Sequence, residues 1–219
     1  MHQPLSEHRI TVAAVRVADR GGLAAVSMRS VGRELGVEAM SLYHHVANKD
    51  RLLDNLVDWI FAQIQLPAAG VGWREGMRAR AGSARDVLVG HPWALTLIDS
   101  RSAPGPALLR HHDAVIGCLR DGGFTIAQAA QAFSVIDAYV YGFALTERNL
   151  PFDPASGGSD FAAEMAPLMD AYPHLLALVG ELTAAHDYSF SAQFEDGLEL
   201  ILDGLASRLV PGGDPGPTG

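Results

Sequence analysis

The side chains best suited to hold another molecule are crowded into one stretch, Ser27 to Leu53, which reads SMRSVGRELGVEAMSLYHHVANKDRLL. It contains Arg29, whose forked guanidinium can meet two acceptors at once, the polar-tipped rings Tyr43 and His45, and Lys49, the sole lysine of the chain. Such groups suit phosphate oxygens and base edges. Other chemistry is poorly provided for. His111-His112-Asp113 gathers metal-ligating types, but neighbours on a helix point about 100° apart and do not converge on one ion, so it reads as a solvated turn of helix. Cys118 is the only cysteine, so no disulfide framework is possible, and it reads as a small core residue. No H-x-x-x-H, C-x-x-C, glycine-rich phosphate loop or G-x-S-x-G occurs. The sequence therefore predicts no catalytic residue, no metal and no cofactor.

Charge agrees once it is divided along the chain, because phosphate responds to local charge and not to the total. The net charge of -9 would suit a nucleic-acid binder poorly. Residues 1–51, however, hold seven Arg or Lys against five Asp or Glu, and the remainder holds nine against twenty. Only the first quarter is fit to lie on DNA. The composition, 48% hydrophobic and 19% charged over 219 residues, is that of a globular protein with a sizeable core. The N-terminus lacks the apolar run and cleavage site of an export signal, and no stretch is apolar enough to span a bilayer, which predicts a cytoplasmic protein.

The elements that must position the 27–53 stretch are helical. Ser6 is a plausible cap for a helix to about Arg20, with Ile10, Ala13, Ala14, Val17 and Ala18 on one face and Gly21-Gly22 as its stop. Ser27 caps a short second helix to about Leu35, ended by Gly36-Val37. A third runs from Glu38 to about His44. Asn48 caps a fourth, whose Leu53, Leu56, Val57, Ile60 and Ile64 form a stripe to be buried. Two short helices meeting across a glycine turn, followed by a cation, make a helix-turn-helix, in which the second member enters the major groove. Further helices are expected at about 74–89, 93–100, 106–120, 126–148, 161–186 and 191–209, with breaks such as His91-Pro92 and Asp121-Gly122-Gly123. Residues 150–159 should be a surface loop and the last nine a disordered tail. The expected class is thus all-α. Residues 1–48 form a three-helix DNA-binding head, 49–66 a connecting helix, 67–210 a helical body, to which the resemblance given below assigns effector binding and dimerisation, and 211–219 the tail.

The head resembles that of TetR-family transcriptional regulators, and the match spans residues 6–65. The hydroxyl cap Ser27, the Leu35-Gly36-Val37 turn and the run Ser41-Leu42-Tyr43-His44-His45-Val46-Ala47-Asn48-Lys49-Asp50-Arg51-Leu52-Leu53 carry it. The resemblance implies that Arg29 reaches a base edge and that Ala39, Met40 and Ser41 face the groove at the start of the recognition helix. Ser27, Tyr43, His45 and Lys49 would lie against the backbone, the last three as phosphate contacts.

His91-Pro92-Trp93, the Gly123-Phe124 helix start and the F-x-x-G-L-x-L-I-L-x-G-L run from Phe194 are similar to the tetracycline-repressor branch. That branch implies a homodimer whose paired heads span a palindromic operator on double-stranded DNA, with a small-molecule effector in the body. Phe133, Val140, Gly197, Leu198, Ile201, Gly204 and Leu205 are the expected interface. Trp93, Phe133, Tyr139, Tyr141, Phe143 and Met165 are the expected pocket lining. The segment after Trp93 lacks the histidine with which the tetracycline-binding member holds magnesium, so tetracycline itself is not the expected effector, although Glu147 lies near the place of its outer acid. The alternatives are an all-helical enzyme with an incidental helix-turn-helix, or a DNA binder without effector.

Overall fold

The computed structural model describes residues 4–100, 103–150, 163–169, 171–184 and 190–209. Among them the regular elements are all helical: α1 (Glu7–Ala25), α2 (Met28–Leu35), α3 (Ala39–Leu42), α4 (Lys49–Gln63), α5 (Trp73–Gly90), α6 (Trp93–Ser100), α7 (Pro106–Asp121), α8 (Ile126–Arg148), a 3-10 turn (Ala166–Met169), α9 (Pro173–Ala184) and α10 (Phe190–Ala206). They form two compact units, Met1–Ser134 and Val135–Gly219, with the division inside α8.

Caps start the head helices where the sequence places them. Ser6 Oγ accepts the Arg9 amide at 3.3 Å, and Asn48 Oδ1 accepts the Arg51 amide at 2.8 Å. Ser27 and Ser30 form a reciprocal box: Ser27 Oγ takes the Ser30 amide at 3.1 Å, and the Ser27 amide donates to Ser30 Oγ at 2.9 Å. At Gly22, φ is 69° and the helical path breaks inside α1. Ile10, Ala14, Val26, Val31, Leu42, Val46, Leu52 and Leu56 are fully buried and close the head's core. The stripe of α4 begins one residue earlier than expected: Leu52 is buried and Leu53 only half-buried, because 3.6 residues per turn align Leu52 with Leu56 and Ile60.

Two expected helices are shorter. The third ends at Leu42, and the amides of Tyr43 and His45 turn to the carbonyls three residues back, at 3.3 and 2.9 Å, in a tighter turn. The expected helix 161–186 is not continuous. Residues 163–165 are helical, a 3-10 turn follows, and α9 starts afresh at Pro173, where a residue without an N–H costs a helix nothing. The expected loop beyond residue 150 and the tail 211–219 lie outside the described residues.

In the first unit, Met77, Ala81, Ala84 and Leu88 of α5, Val115 and Leu119 of α7, and Ala129 and Ala132 of α8 are buried. Among these apolar positions sit two polar ones, Arg80 and His111, both fully buried. In the second unit the rings of Tyr139 and Phe143 pack on α10. Tyr139 stacks on Phe194 with centroids 5.4 Å apart, and Phe143 lies 4.6 Å from Phe190.

Candidate nucleic-acid interface

The turn between α2 and α3 is fixed by two glycines. Gly36 adopts φ 70°, ψ 30°, the left-handed cap that a side chain disfavours. At Gly32 a Cβ would sit 2.9 Å from the Val37 carbonyl oxygen and 3.2 Å from the Ala39 nitrogen, so only glycine lets α2 lie this close to the start of α3. Leu42, fully buried, pins α3 from beneath.

What α3 presents outward follows from that pinning. Met40 is 72% exposed and Tyr43 44%, Ala39 and Ser41 are half-buried, and His45 and Lys49 are in solvent. Arg29 is exposed on α2, and Ser27 is half-buried in its capping box. Arg29, Met40 and Tyr43 share one surface groove with Arg33. Arg33 was not singled out from the sequence, although its place four residues after Arg29 was the available signal. Neighbouring charges are already paired: Arg20 with Glu34, and Arg51 with Glu7 at 3.3 Å. The head can therefore offer Arg29 and Arg33 to an anionic surface beside a small, partly apolar helix, with Lys49 exposed at the start of α4.

The head is joined to the following helices by polar ties within the first unit. Asp19 Oδ1 of α1 accepts from the indole Nε1 of Trp93 and meets His91 Nδ1, each at 2.7 Å. Asp58 of α4 accepts the amides of Ala107 and Leu108 at the start of α7, at 2.7 and 3.1 Å.

Residues 10–56 match the model of the bacterial regulatory proteins of the tetR family, and residues 66–209 match the tetracyclin repressor-like C-terminal domain. The chain belongs to the TetR family. An HTH-type transcriptional regulator of Saccharopolyspora erythraea is 33% identical over 205 residues, covering 93% of this chain and 85% of that protein. An HTH-type transcriptional repressor of Streptomyces coeruleorubidus is 32% identical, covering 92% and 77%. The structure of the TetR family protein ActR of Streptomyces coelicolor in complex with actinorhodin superimposes with a TM-score of 0.76 at 28% identity, covering 95% of this chain and 100% of that one.

This TetR-family member is a DNA-binding transcriptional regulator, and among its described residues no helix is long and apolar enough to cross a membrane. Its expected pocket and interface residues fall in several places. Trp93 is buried and tied to Asp19. Phe133 is half-buried, with its ring 4.9 Å from His112 and 5.7 Å from the Arg80 guanidinium. Tyr139 and Phe143 pack against α10, while Tyr141 and Met165 are half-buried. Val140 and Leu198 are fully buried and Leu205 nearly so, which gives them places in the core of a single chain and little surface for a partner. Ile201 is half-buried and Gly204 exposed. A Cβ at Gly197 would collide with the Tyr139 hydroxyl, so the close approach that this glycine permits is made within the chain.

His111 is not the solvated residue expected from the sequence. It is fully buried, and only Asp113 of the trio is exposed. Burial first, then the charge of Arg80 and that of His112, lowers its pKa to about 3, so the ring is neutral. Its neighbour Arg80 is likewise fully buried. In the sequence that arginine stands within the apolar series Met77, Ala81, Ala84 and Leu88. The Cys118 thiol is half-buried, its pKa raised by burial and then by Asp121.

Proposed function

We propose that this ligand-responsive TetR-family regulator is a repressor that holds a palindromic operator as a homodimer and lets go when a small molecule occupies its body. The observation that carries the proposal is the exposed face of α3, where Met40 and Tyr43 share a groove with Arg29, while His45 and Lys49 stand in solvent just after α3 in the chain. In this reading Arg29 meets a base edge, and Ala39, Met40 and Ser41 supply apolar and hydroxyl contacts in the groove. Tyr43, His45 and Lys49 hold phosphates, while Ser27 fixes the start of α2 beside the backbone.

Two heads on a two-fold axis would meet successive major grooves about 34–36 Å apart. Exposed Val135 and Leu145 on α8, and Leu200 with Gly204 on α10, offer apolar or open surface for the partner. Ile201 would lie at its margin. The protein works as a binder and not as a catalyst, in the cytoplasm where its DNA is. The relatives' names as regulators and repressors support this. Release would run through Asp58 and Asp19, which join head helices to α7 and to Trp93. A coupling of about 1–3 kcal/mol would weaken operator binding roughly 5- to 150-fold.

Selection on randomised duplexes tests the reading. The expected product is a palindrome with two half-sites about one helical turn apart, whose preference at one base pair per half-site relaxes in Arg29→Ala. Recovery of no symmetric site would overturn it.

A further inference from the structure

The buried Arg80–His111 pair holds a donor without an acceptor. Arg80 Nε donates to His111 Nε2 at 3.1 Å, so that nitrogen carries the lone pair. A neutral imidazole with Nε2 accepting has its proton on Nδ1. His111 Nδ1 is buried without a hydrogen-bond partner, although the ring is wholly removed from solvent. An unmet buried donor is costly, and a folded chain keeps one where something else satisfies it. Flat rings surround the spot: Phe61 is 5.2 Å from His111, and His112 makes an edge contact with Phe133 at 4.9 Å. Arg80 adds a fixed positive charge beneath Phe133. His112 and Phe133 are themselves half-buried, so this cluster of rings has an edge in solvent.

We propose that His111 Nδ1–H and the Arg80 charge together receive an acidic oxygen, a carboxylate or phenolate, borne by a planar aromatic effector that slides between Phe61, His112 and Phe133. The inference rests on the reading of this protein as effector-controlled and names the chemical class of that effector. The ligand supplies the acceptor that Nδ1 lacks, and its negative charge is favoured by the buried guanidinium. Its ring system takes the edge-to-face contacts that the aromatic side chains now make with one another. The site lies on α7, whose first turn Asp58 of α4 caps, so a shift of α7 on binding reaches the head.

The test uses the full chain without DNA and two matched pairs of probes: 2-naphthoate and anthracene-2-carboxylate, each against its methyl ester. Calorimetry on the wild-type protein should show each acid binding at least about tenfold more tightly than its ester. In His111→Phe the preference should fall towards unity. Should that variant not fold, nitrogen-15 spectra of the wild-type histidine rings decide: the acid should move the signals of one neutral ring and the ester should leave them. Equal binding of acid and ester, no binding of either acid, or unmoved ring signals would overturn the proposal. Operator release is measured separately. An acid that binds as described without releasing DNA sinks the repressor mechanism and leaves the site standing, and release by neutral compounds alone does the reverse.

Discussion

Asp58 of α4 caps α7 by accepting the Ala107 amide at 2.7 Å, with the Leu108 amide at 3.1 Å on the same oxygen. A side chain from the helix that leaves the DNA-binding head thus serves as the missing cap of a helix in the body, at the end where amides lack partners and the helix dipole is positive. Gly105 makes room for it, since a Cβ there would run into the Asp58 carboxylate.

Replacing Asp58 with Ala removes the cap and should cost about 1 kcal/mol, a fall of roughly 2–4 °C in the melting temperature. Asp58→Asn keeps an acceptor oxygen and should lose less. Thermal unfolding of the three proteins checks the order; equal melting temperatures would show that α7 does not use this cap.

Gly32→Ala should damage the helix-turn-helix, because the intruding methyl meets the backbone at Val37 and Ala39, which cannot swing aside as a side chain can. A cost of roughly 1–3 kcal/mol is expected, with weakened operator binding. Denaturant titration alongside a binding isotherm measures both. Unchanged stability would mean that the α2–α3 spacing is soft.

Lys49→Ala should weaken binding to all duplexes alike and reduce the log-log salt slope by about one, as loss of a single phosphate contact requires. Titrations from low to high salt provide the slope. A slope equal to that of the wild type refutes a phosphate role for Lys49.

His111 imposes a pH dependence of definite sign. Its folded pKa of about 3 lies below the 6.5 of an ordinary histidine, so between those pH values the unfolded chain binds the proton and the folded chain does not. The stability is fully present above about pH 6.5 and is lost as the pH falls, with the unfolding constant rising roughly tenfold per pH unit from this group. In His111→Gln the slope over that window should flatten by about this amount. Unfolding midpoints measured at successive pH values decide it, and parallel curves for the two proteins would count against a buried neutral ring.

Gly197→Ala should destabilise the second unit through its collision with the Tyr139 hydroxyl, which itself donates to the Phe194 carbonyl at 3.0 Å. Removing that oxygen in Tyr139→Phe relieves part of the clash, so the double variant should be more stable than the sum of the two single changes predicts. Strict additivity would show that Gly197 is small for some other reason.

Residue order alone settled the helical class, the caps at Ser6, Ser27 and Asn48 and the glycine turn at Gly36, because capping and 3.6-residue periodicity act over a few neighbours and leave a local signature. Even there, the end of α3 was set by a turn that no glycine marks. Tertiary packing decided the rest. Nothing near His111 in the sequence tells of Arg80, thirty-one residues earlier, yet their contact turns an apparently wet histidine into a neutral buried donor. Nothing near Gly197 in the sequence tells that Tyr139 of the same chain fills the space beside it. Burial and partnership are properties of which helices meet, and that depends on contacts between residues far apart in the chain, which short-range patterns do not encode.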